Sequence, residues 1–202
     1  MDDALLATPG LTEFLDPPAP EGASPYVAGA GPGTDLRIAD PDPTWPVQAA
    51  AVIATIRAVL GDVDVEHVGS TSVPLLPAKP RLDIDLVVPD AEDETAYVPA
   101  LERAGFVLAV REPWWYGHRL LRGTDPAVNL HVYPVGSAES ARQRLFRDWL
   151  REHPEDRDRY AAAKRDASAA SAAAGEHVQQ YNARKQAVLR DVHARLFAAA
   201  GL

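Results

Sequence analysis

The chain of 202 residues is 47% hydrophobic and 24% charged, which is the composition of an ordinary globular domain. It has no cysteine, which excludes disulfides and cysteine-ligated zinc, and no run approaches the roughly 20 apolar residues that a membrane-spanning helix requires. Residues 1–36 hold six acidic residues and no Lys or Arg. When their charge of −6 is subtracted from the net charge of −9, a charge of −3 remains for residues 37–202. This mildly negative charge argues against broad, sequence-independent binding of DNA or RNA.

Residues 1–35 are rich in Pro, Gly and Ala and show no sustained hydrophobic period. We predict a flexible acidic tail for this segment, because its Pro and Gly clusters can continue neither a helix nor a central strand. The N-terminus lacks the basic and apolar regions of a secretory signal, so we expect a cytoplasmic protein.

An α/β core is predicted over residues 36–137, because helical and alternating patterns follow one another there. Helices are expected over 46–60 and 92–104, and strands over 63–68, 81–88, 106–111, 115–121 and 127–132. Residues 138–202 read as a helical lobe packed on this core, with helices near 139–152, 155–172 and 176–199.

Two aspartates and a Gly-Ser corner carry the strongest chemical signal. Asp83 and Asp85 alternate on one side of a predicted strand, so their oxygens can share a divalent cation. Gly69 and Ser70 directly follow the preceding strand, where a backbone N–H and a hydroxyl can meet a phosphate. Carboxylates on a solvent-facing strand are the alternative, but strands disfavour Asp, and the pair favours phosphoryl or nucleotidyl transfer.

Other polar residues are weaker candidates. His131 shares a strand face with Asn129 and Tyr133; it is either a base or metal ligand, or a structural hydrogen-bonding histidine. Six further side chains, each cationic or bearing a hydroxyl, are candidates for contact with a phosphate. The alternative for these side chains is that they are exposed to solvent or form surface ion pairs. These residues are Thr71, Lys79, Arg81, Arg119, Arg147 and Lys185.

Several motifs in this order resemble the GrpB family of bacterial proteins. They are His67-Val68-Gly69-Ser70-Thr71-Ser72-Val73-Pro74, Pro77-Ala78-Lys79-Pro80, Asp83-Ile84-Asp85, Asn129-Leu130-His131-Val132 and Tyr181-Asn182-Ala183-Arg184-Lys185. The resemblance covers about residues 38–198 and leaves the first 35 residues outside it. Leu75 departs from the family, which usually has Gly after Val-Pro.

The resemblance implies a nucleotidyltransferase-like fold: a mixed sheet of about five strands flanked by helices, with a C-terminal helical lobe. In active members of that superfamily the Gly-Ser corner holds a nucleoside triphosphate and two aspartates bind Mg²⁺ or Mn²⁺. A third carboxylate on a later strand assists them. The resemblance puts His131 at that third position, so Asp83, Asp85 and His131 are the expected catalytic and metal-binding set.

Two functions follow as hypotheses. The first is Mg²⁺-dependent nucleotidyl transfer from a nucleoside triphosphate to a hydroxyl of a small molecule or a protein. The second is a catalytically degenerate domain that binds a nucleotide or metabolite, or docks a partner protein. The missing third acid favours the second, as does the family's occasional fusion to a dephospho-CoA kinase. Transfer to RNA is disfavoured by the mild negative charge, and no membrane partner is expected.

Overall fold

A mixed sheet of five strands forms the centre of the computed structural model, which describes residues 2–27 and 29–202. The strands are β1 (Asp64–Val68), β2 (Leu82–Val88), β3 (Val107–Glu112), β4 (His118–Thr124) and β5 (Ala127–Pro134), in the order β1-β2-β5-β4-β3. β2 and β5 run parallel, and all other neighbours are antiparallel. The predicted mixed sheet of about five strands is confirmed.

One face of the sheet is apolar and packs under two helices, α2 (Trp45–Leu60) and α3 (Val98–Arg103). Ile84 and Leu86 of β2 are fully buried there against residues such as Ile56 of α2. Alternation along β2 therefore turns Asp83 and Asp85 to the opposite face, called the lobe face here.

The lobe face is covered by α4 (Ala138–Glu152), and α5 (Pro154–Ala173) and α6 (Val178–Ala199) pack against α4 and against each other. These helices share an apolar cluster of their own, which includes Leu145, Trp149, Tyr160 and Leu196. The helical end of the chain thus packs on the polar side of the sheet, which creates a polar interface between sheet and lobe.

Two predicted elements differ in their bounds. The helix expected over 92–104 is divided into a 3₁₀ turn, Glu94–Ala96, and the short α3, because Pro99 has no N–H to continue a helix from the preceding turn and lies in the first turn of α3 instead. The strand expected from Trp115 begins at His118, because Tyr116 and Gly117 take positive φ angles in a tight turn.

The N-terminal segment lies against the folded body. A short helix, α1 (Asp3–Leu6), precedes the buried Leu11, and the guanidinium of Arg142 donates to the carbonyls of Gly10, Leu11 and Glu13. Farther along, Tyr26 forms a bridge to Val110 at the edge of β3. The division into tail, core and lobe stays a prediction. Within the described residues no helix is long and apolar enough to cross a membrane.

Candidate functional site

Asp83 and Asp85 both reach the lobe face, where neighbouring strands supply further polar groups. In the parallel pairing of β2 with β5, Asp83 lies opposite Asn129 and Asp85 lies opposite His131. Residues directly opposite on adjacent strands project to the same face. Two carboxylates, an amide and an imidazole therefore meet at the centre of the sheet.

The Gly-Ser corner approaches Asp83 closely. Gly69 follows β1 with φ 67° and ψ −168°, and a Cβ built on it would lie 2.5 Å from Oδ2 of Asp83. Only glycine combines this backbone conformation with so close a contact. The corner and the first aspartate are thus in close contact, and Ser70 begins a 3₁₀ turn beside them.

Asp85 lies deeper than Asp83. It is 0% exposed, and its Oδ2 accepts a hydrogen bond of 2.9 Å from the hydroxyl of Ser140 in α4. Its Oδ1 is buried and has no hydrogen-bond partner in the described part of the chain. Burial raises the pKa of Asp85 to about 7, although the charge of His131 and the Ser140 hydrogen bond act in the other direction.

Asp83 and His131 stabilise each other's charged forms. Oδ1 of Asp83 accepts from the Asn129 amide at 2.9 Å and lies 3.6 Å from Nε2 of His131. Burial alone would raise the pKa of Asp83, but His131 and Asn129 outweigh it and bring the pKa below its usual value. Burial would lower the pKa of His131, but the nearby carboxylates raise it.

His131 is also held on its other side. Its Nδ1 lies 3.0 Å from Nε2 of His118, and Nδ1 of His118 lies 2.9 Å from Oε2 of Glu112. Burial lowers the pKa of His118 to about 4, so this ring is neutral at physiological pH. The sequence analysis missed His118 and Glu112, because they precede β5 and reach His131 only when β4 pairs with β5.

All three lysines of the chain meet in one cluster, which we call the lysine cluster: Lys79, Lys164 and Lys185. The Nζ of Lys79 lies 4.6 Å above the Tyr181 ring, and Nζ of Lys185 lies 3.2 Å from the Tyr160 hydroxyl. Nζ of the buried Lys164 donates to the Pro77 carbonyl at 2.6 Å. The sequence analysis selected the first and last of these lysines and missed Lys164.

Like charges are crowded in the lysine cluster. Burial, and next the charge of Lys185, lower the pKa of Lys79 to about 8 and that of Lys164 well below its usual value, while the charge of Asp83 partly restores both. Within residues 2–27 and 29–202 none of the three ammonium groups forms an ion pair. Grouped cations without carboxylate partners, beside the Asp83 corner, form a site suited to a polyanion.

The remaining candidates have other partners. The Thr71 hydroxyl is buried against Nε2 of His67 at 2.9 Å, and Arg81 reaches the Val128 carbonyl at 3.4 Å. Arg147 binds Glu66 at 2.6 Å and the His67 carbonyl. These contacts hold the three side chains in the structure around the corner.

Arg119 projects to the opposite face of the sheet from His131. It lies across from Val132 in the pairing of β4 with β5, and its Nε donates to Glu94 at 2.8 Å. The structure therefore does not bring Arg119 to the lobe face.

Whether these residues fit a divalent cation depends on how many ligands a bound nucleotide and water supply to the ion. Within the described residues, no group of three or more His, Cys, Asp or Glu side chains is arranged to hold a metal ion by itself. A magnesium ion that accompanies a triphosphate takes ligands from phosphates and water and needs only one or two carboxylates. The unpartnered Oδ1 of Asp85 and the adjacent Asp83 fit that demand.

Comparison with known proteins identifies the family. The family model for the GrpB protein matches residues 35–195. The chain belongs to the GrpB family. A UPF0157 protein of Halalkalibacterium halodurans is 41% identical over 197 residues, which cover 96% of each chain.

A solved structure of a GrpB protein matches the fold. The crystal structure of GrpB from Enterococcus faecalis aligns with a TM-score of 0.69 and 25% identity, over 82% of this chain and all of that one. A dephospho-CoA kinase of Mycolicibacterium paratuberculosis is 31% identical over 188 residues, which are 79% of this chain but only 46% of the kinase. A GrpB-like segment therefore occurs inside a longer protein.

Proposed function

We propose that this GrpB protein binds a magnesium-bound nucleoside triphosphate at the Gly69 corner and transfers its nucleotidyl group to a hydroxyl of a small molecule or a protein. The observation that carries the proposal is the convergence of all three lysines of the chain in one cluster, in which Lys79 and Lys164 lie within the electrostatic range of Asp83 at the Gly69 corner. A triphosphate is the common metabolite class that needs both several cations and adjacent carboxylates for its metal.

The lysine cluster would hold the phosphates. A bound polyanion supplies the negative charge that the three ammonium groups lack and offsets the cost of crowding them. Ser70 at the corner adds a hydroxyl and a backbone N–H beside Gly69. Within the described residues no ion pair neutralises these ammonium groups, so their positive charge remains available to attract phosphates.

The carboxylates would hold the metal ion, and His131 would act as the base. Asp83 and Asp85 are the residues that would bind Mg²⁺ or Mn²⁺, which supplies neutralisation of phosphate charge when bound. Nε2 of His131 faces Asp83 and can accept the proton of an acceptor hydroxyl. The ionised Asp83 then stabilises the imidazolium, in the place where other transferases use a third acid.

Calorimetric titration tests binding. ATP, CTP, GTP and UTP are each titrated with Mg²⁺ into the wild type, the Asp83→Ala variant and, as a matched control, Asp62→Ala, which changes an exposed acid before β1. We expect at least one triphosphate to bind to the wild type and the control but not to Asp83→Ala. Absence of binding by all four would contradict the proposal.

Acylation of lysines gives a second, independent test. Because every lysine lies in the cluster, an amine-directed acetylating reagent reports on this site alone, and the N-terminal amine serves as an internal control. We expect ATP with Mg²⁺ to slow acetylation of Lys79 and Lys185 without slowing that of the N-terminus. Equal rates with and without nucleotide would exclude the lysine cluster as a phosphate site.

A second candidate function is nucleotide binding without transfer. It is favoured by β5, which offers Asn129 and His131 rather than an acid opposite the aspartates. The occurrence of a related segment within a dephospho-CoA kinase is consistent with an accessory role. Incubation with α-³²P-labelled triphosphates separates the two candidates: radiolabel on the protein or an added hydroxyl compound, or pyrophosphate release, indicates transfer, whereas binding alone indicates the accessory role.

A further inference from the structure

His131 is oriented by two residues that touch neither aspartate in the described structure. Nδ1 of His131 lies 3.0 Å from Nε2 of His118, and Nδ1 of His118 lies 2.9 Å from Oε2 of Glu112. Both distances are those of ordinary hydrogen bonds. His118 is 4% exposed, so water does not compete for either of its nitrogens.

The direction of each hydrogen bond follows from counting donors and acceptors. An ionised carboxylate only accepts, so the bond to Glu112 requires a proton on Nδ1 of His118. A neutral imidazole has one N–H, which leaves Nε2 of His118 as an acceptor. That acceptor requires a proton on Nδ1 of His131. Neutral His131 then carries its lone pair on Nε2, which lies 3.6 Å from Oδ1 of Asp83.

Packing keeps the His118 ring in this orientation. The ring meets Trp115 edge-on, with centroids 5.2 Å apart, and lies 5.0 Å from the Tyr133 ring. The His131 ring lies edge to edge with it, with centroids 5.3 Å apart and an angle of 27° between the ring planes, as a hydrogen bond between ring nitrogens requires. Since aromatic rings enclose it and both nitrogens are bonded, rotation of the ring would break two buried hydrogen bonds.

We propose that His118 and Glu112 are positioning residues that keep a proton on Nδ1 of His131, so that this ring binds and releases its second proton at Nε2, on the side of Asp83. The tautomer stands on these contacts alone; only the use of Nε2 as a base rests on the proposed function. The other tautomer would present an N–H to Asp83 and could accept no proton from a substrate.

Nitrogen-15 NMR on ligand-free protein reads the tautomer directly. At alkaline pH, where the rings are neutral, protonated and unprotonated ring nitrogens resonate in separate ranges. We expect Nδ1 to be protonated and Nε2 unprotonated in both His118 and His131. A wild-type His131 with its proton on Nε2 would overturn the proposal.

Variants then test which residues set the tautomer. His118→Phe keeps an aromatic ring beside Trp115 and Tyr133 but removes the acceptor, so we expect His131 to move its proton to Nε2 and donate to Asp83. The matched control is His193→Phe, which replaces a buried histidine stacked on Phe146 in the lobe and should leave His131 unchanged.

Glu112→Leu is the second variant, which keeps the test decisive if His118→Phe does not fold. Without the Glu112 carboxylate, no acceptor favours a proton on Nδ1 of His118, so we expect mixed tautomers at both rings. An unchanged Nδ1–H signal of His131 in the folded variants would overturn the proposal. Titration of the wild type with ATP and Mg²⁺ is separate: failure to bind contradicts the proposed function while the tautomer still supports this inference.

Discussion

Gly69 and Asp83 lie so close that a Cβ on Gly69 would stand 2.5 Å from Oδ2 of the carboxylate. The contact joins the end of β1 to the start of β2, whose antiparallel pairing sets Val68 opposite Asp83. A side chain at Gly69 would displace the carboxylate and enter the space that we propose for a phosphate. The glycine is therefore required by its backbone conformation and by the close approach of Asp83.

The first prediction concerns Gly69→Ala. We expect a loss of about 1–3 kcal/mol for a backbone region that only glycine adopts readily and a further loss of about 1–3 kcal/mol from the clash with Asp83. Urea unfolding measures the sum. Gly61→Ala is the matched control, because Gly61 has a similar backbone conformation, φ 83° and ψ −148°, with nothing within 4 Å of the added Cβ. Equal losses in both variants would show that the contact with Asp83 costs nothing.

The second prediction uses the opposite pKa directions of the two aspartates. The pKa of Asp85 is raised to about 7 in the folded protein, against 3.8 as its ordinary value, so the folded state binds more protons between these pH values. Its stability therefore falls as pH rises from about 4 to about 7. Each tenfold difference in proton affinity corresponds to about 1.4 kcal/mol, so we expect Asp85→Asn to be more stable than the wild type by about 4 kcal/mol above pH 7 and equally stable near pH 4.

Asp83→Asn provides the contrast for this measurement. The pKa of Asp83 lies below its usual value, so its charge stabilises the fold above the unfolded pKa, and that contribution is lost as pH falls through the folded pKa. We expect Asp83→Asn to be less stable than the wild type at neutral pH. Denaturant unfolding at several pH values measures both variants, and a destabilised Asp85→Asn above pH 7 would refute the assignment.

The third prediction concerns pH and triphosphate affinity. Because the pKa of Lys79 is lowered to about 8, its ammonium loses its proton as pH rises through that value, and the attraction for phosphate weakens. We expect affinity for a bound triphosphate to decrease between pH 7 and pH 9 in calorimetric titrations. Lys79→Met should bind weakly at both pH values, and an unchanged pH dependence in this variant would exclude Lys79 as its source.

The fourth prediction tests the other two lysines. We expect Lys164→Met and Lys185→Met each to weaken triphosphate binding about tenfold, which corresponds to about 1.4 kcal/mol and to one charged hydrogen bond. Arg57→Gln is the control, since it removes an exposed charge from α2 on the far side of the sheet. Lys164→Met should also raise the unfolding temperature, because it removes a buried charge; a lowered temperature would indicate that its bond to Pro77 dominates.

The fifth prediction concerns Leu75, which stands where the family usually has glycine. This residue has φ 65°, so its backbone is strained. Its side chain is 70% exposed and therefore contributes little stability through burial. Leu75→Gly relieves about 1–2 kcal/mol of strain and loses about 0.5–1 kcal/mol of chain entropy. We expect a net gain of about 0.5–1 kcal/mol in thermal unfolding. Leu15→Gly, at an exposed leucine whose φ is not positive, should give no gain.

The sequence by itself determined the sheet and the placement of the aspartates. Strict alternation along β2 requires Asp83 and Asp85 to share a face, because successive side chains of a strand point to opposite sides. The glycine after β1 and the prolines and glycines between elements were equally visible, since they act through local backbone conformation. Such features depend on residues near one another in the chain.

Only the tertiary structure decided which groups surround those aspartates. Ser140 buries Asp85 beneath α4, and the three lysines come from a loop, α5 and α6. His118 reaches His131 while its neighbour Arg119 turns away, because the register of β4 against β5 fixes which alternate residues face the lobe. Register and helix packing are set by contacts between distant segments, so no local pattern in the sequence contains them.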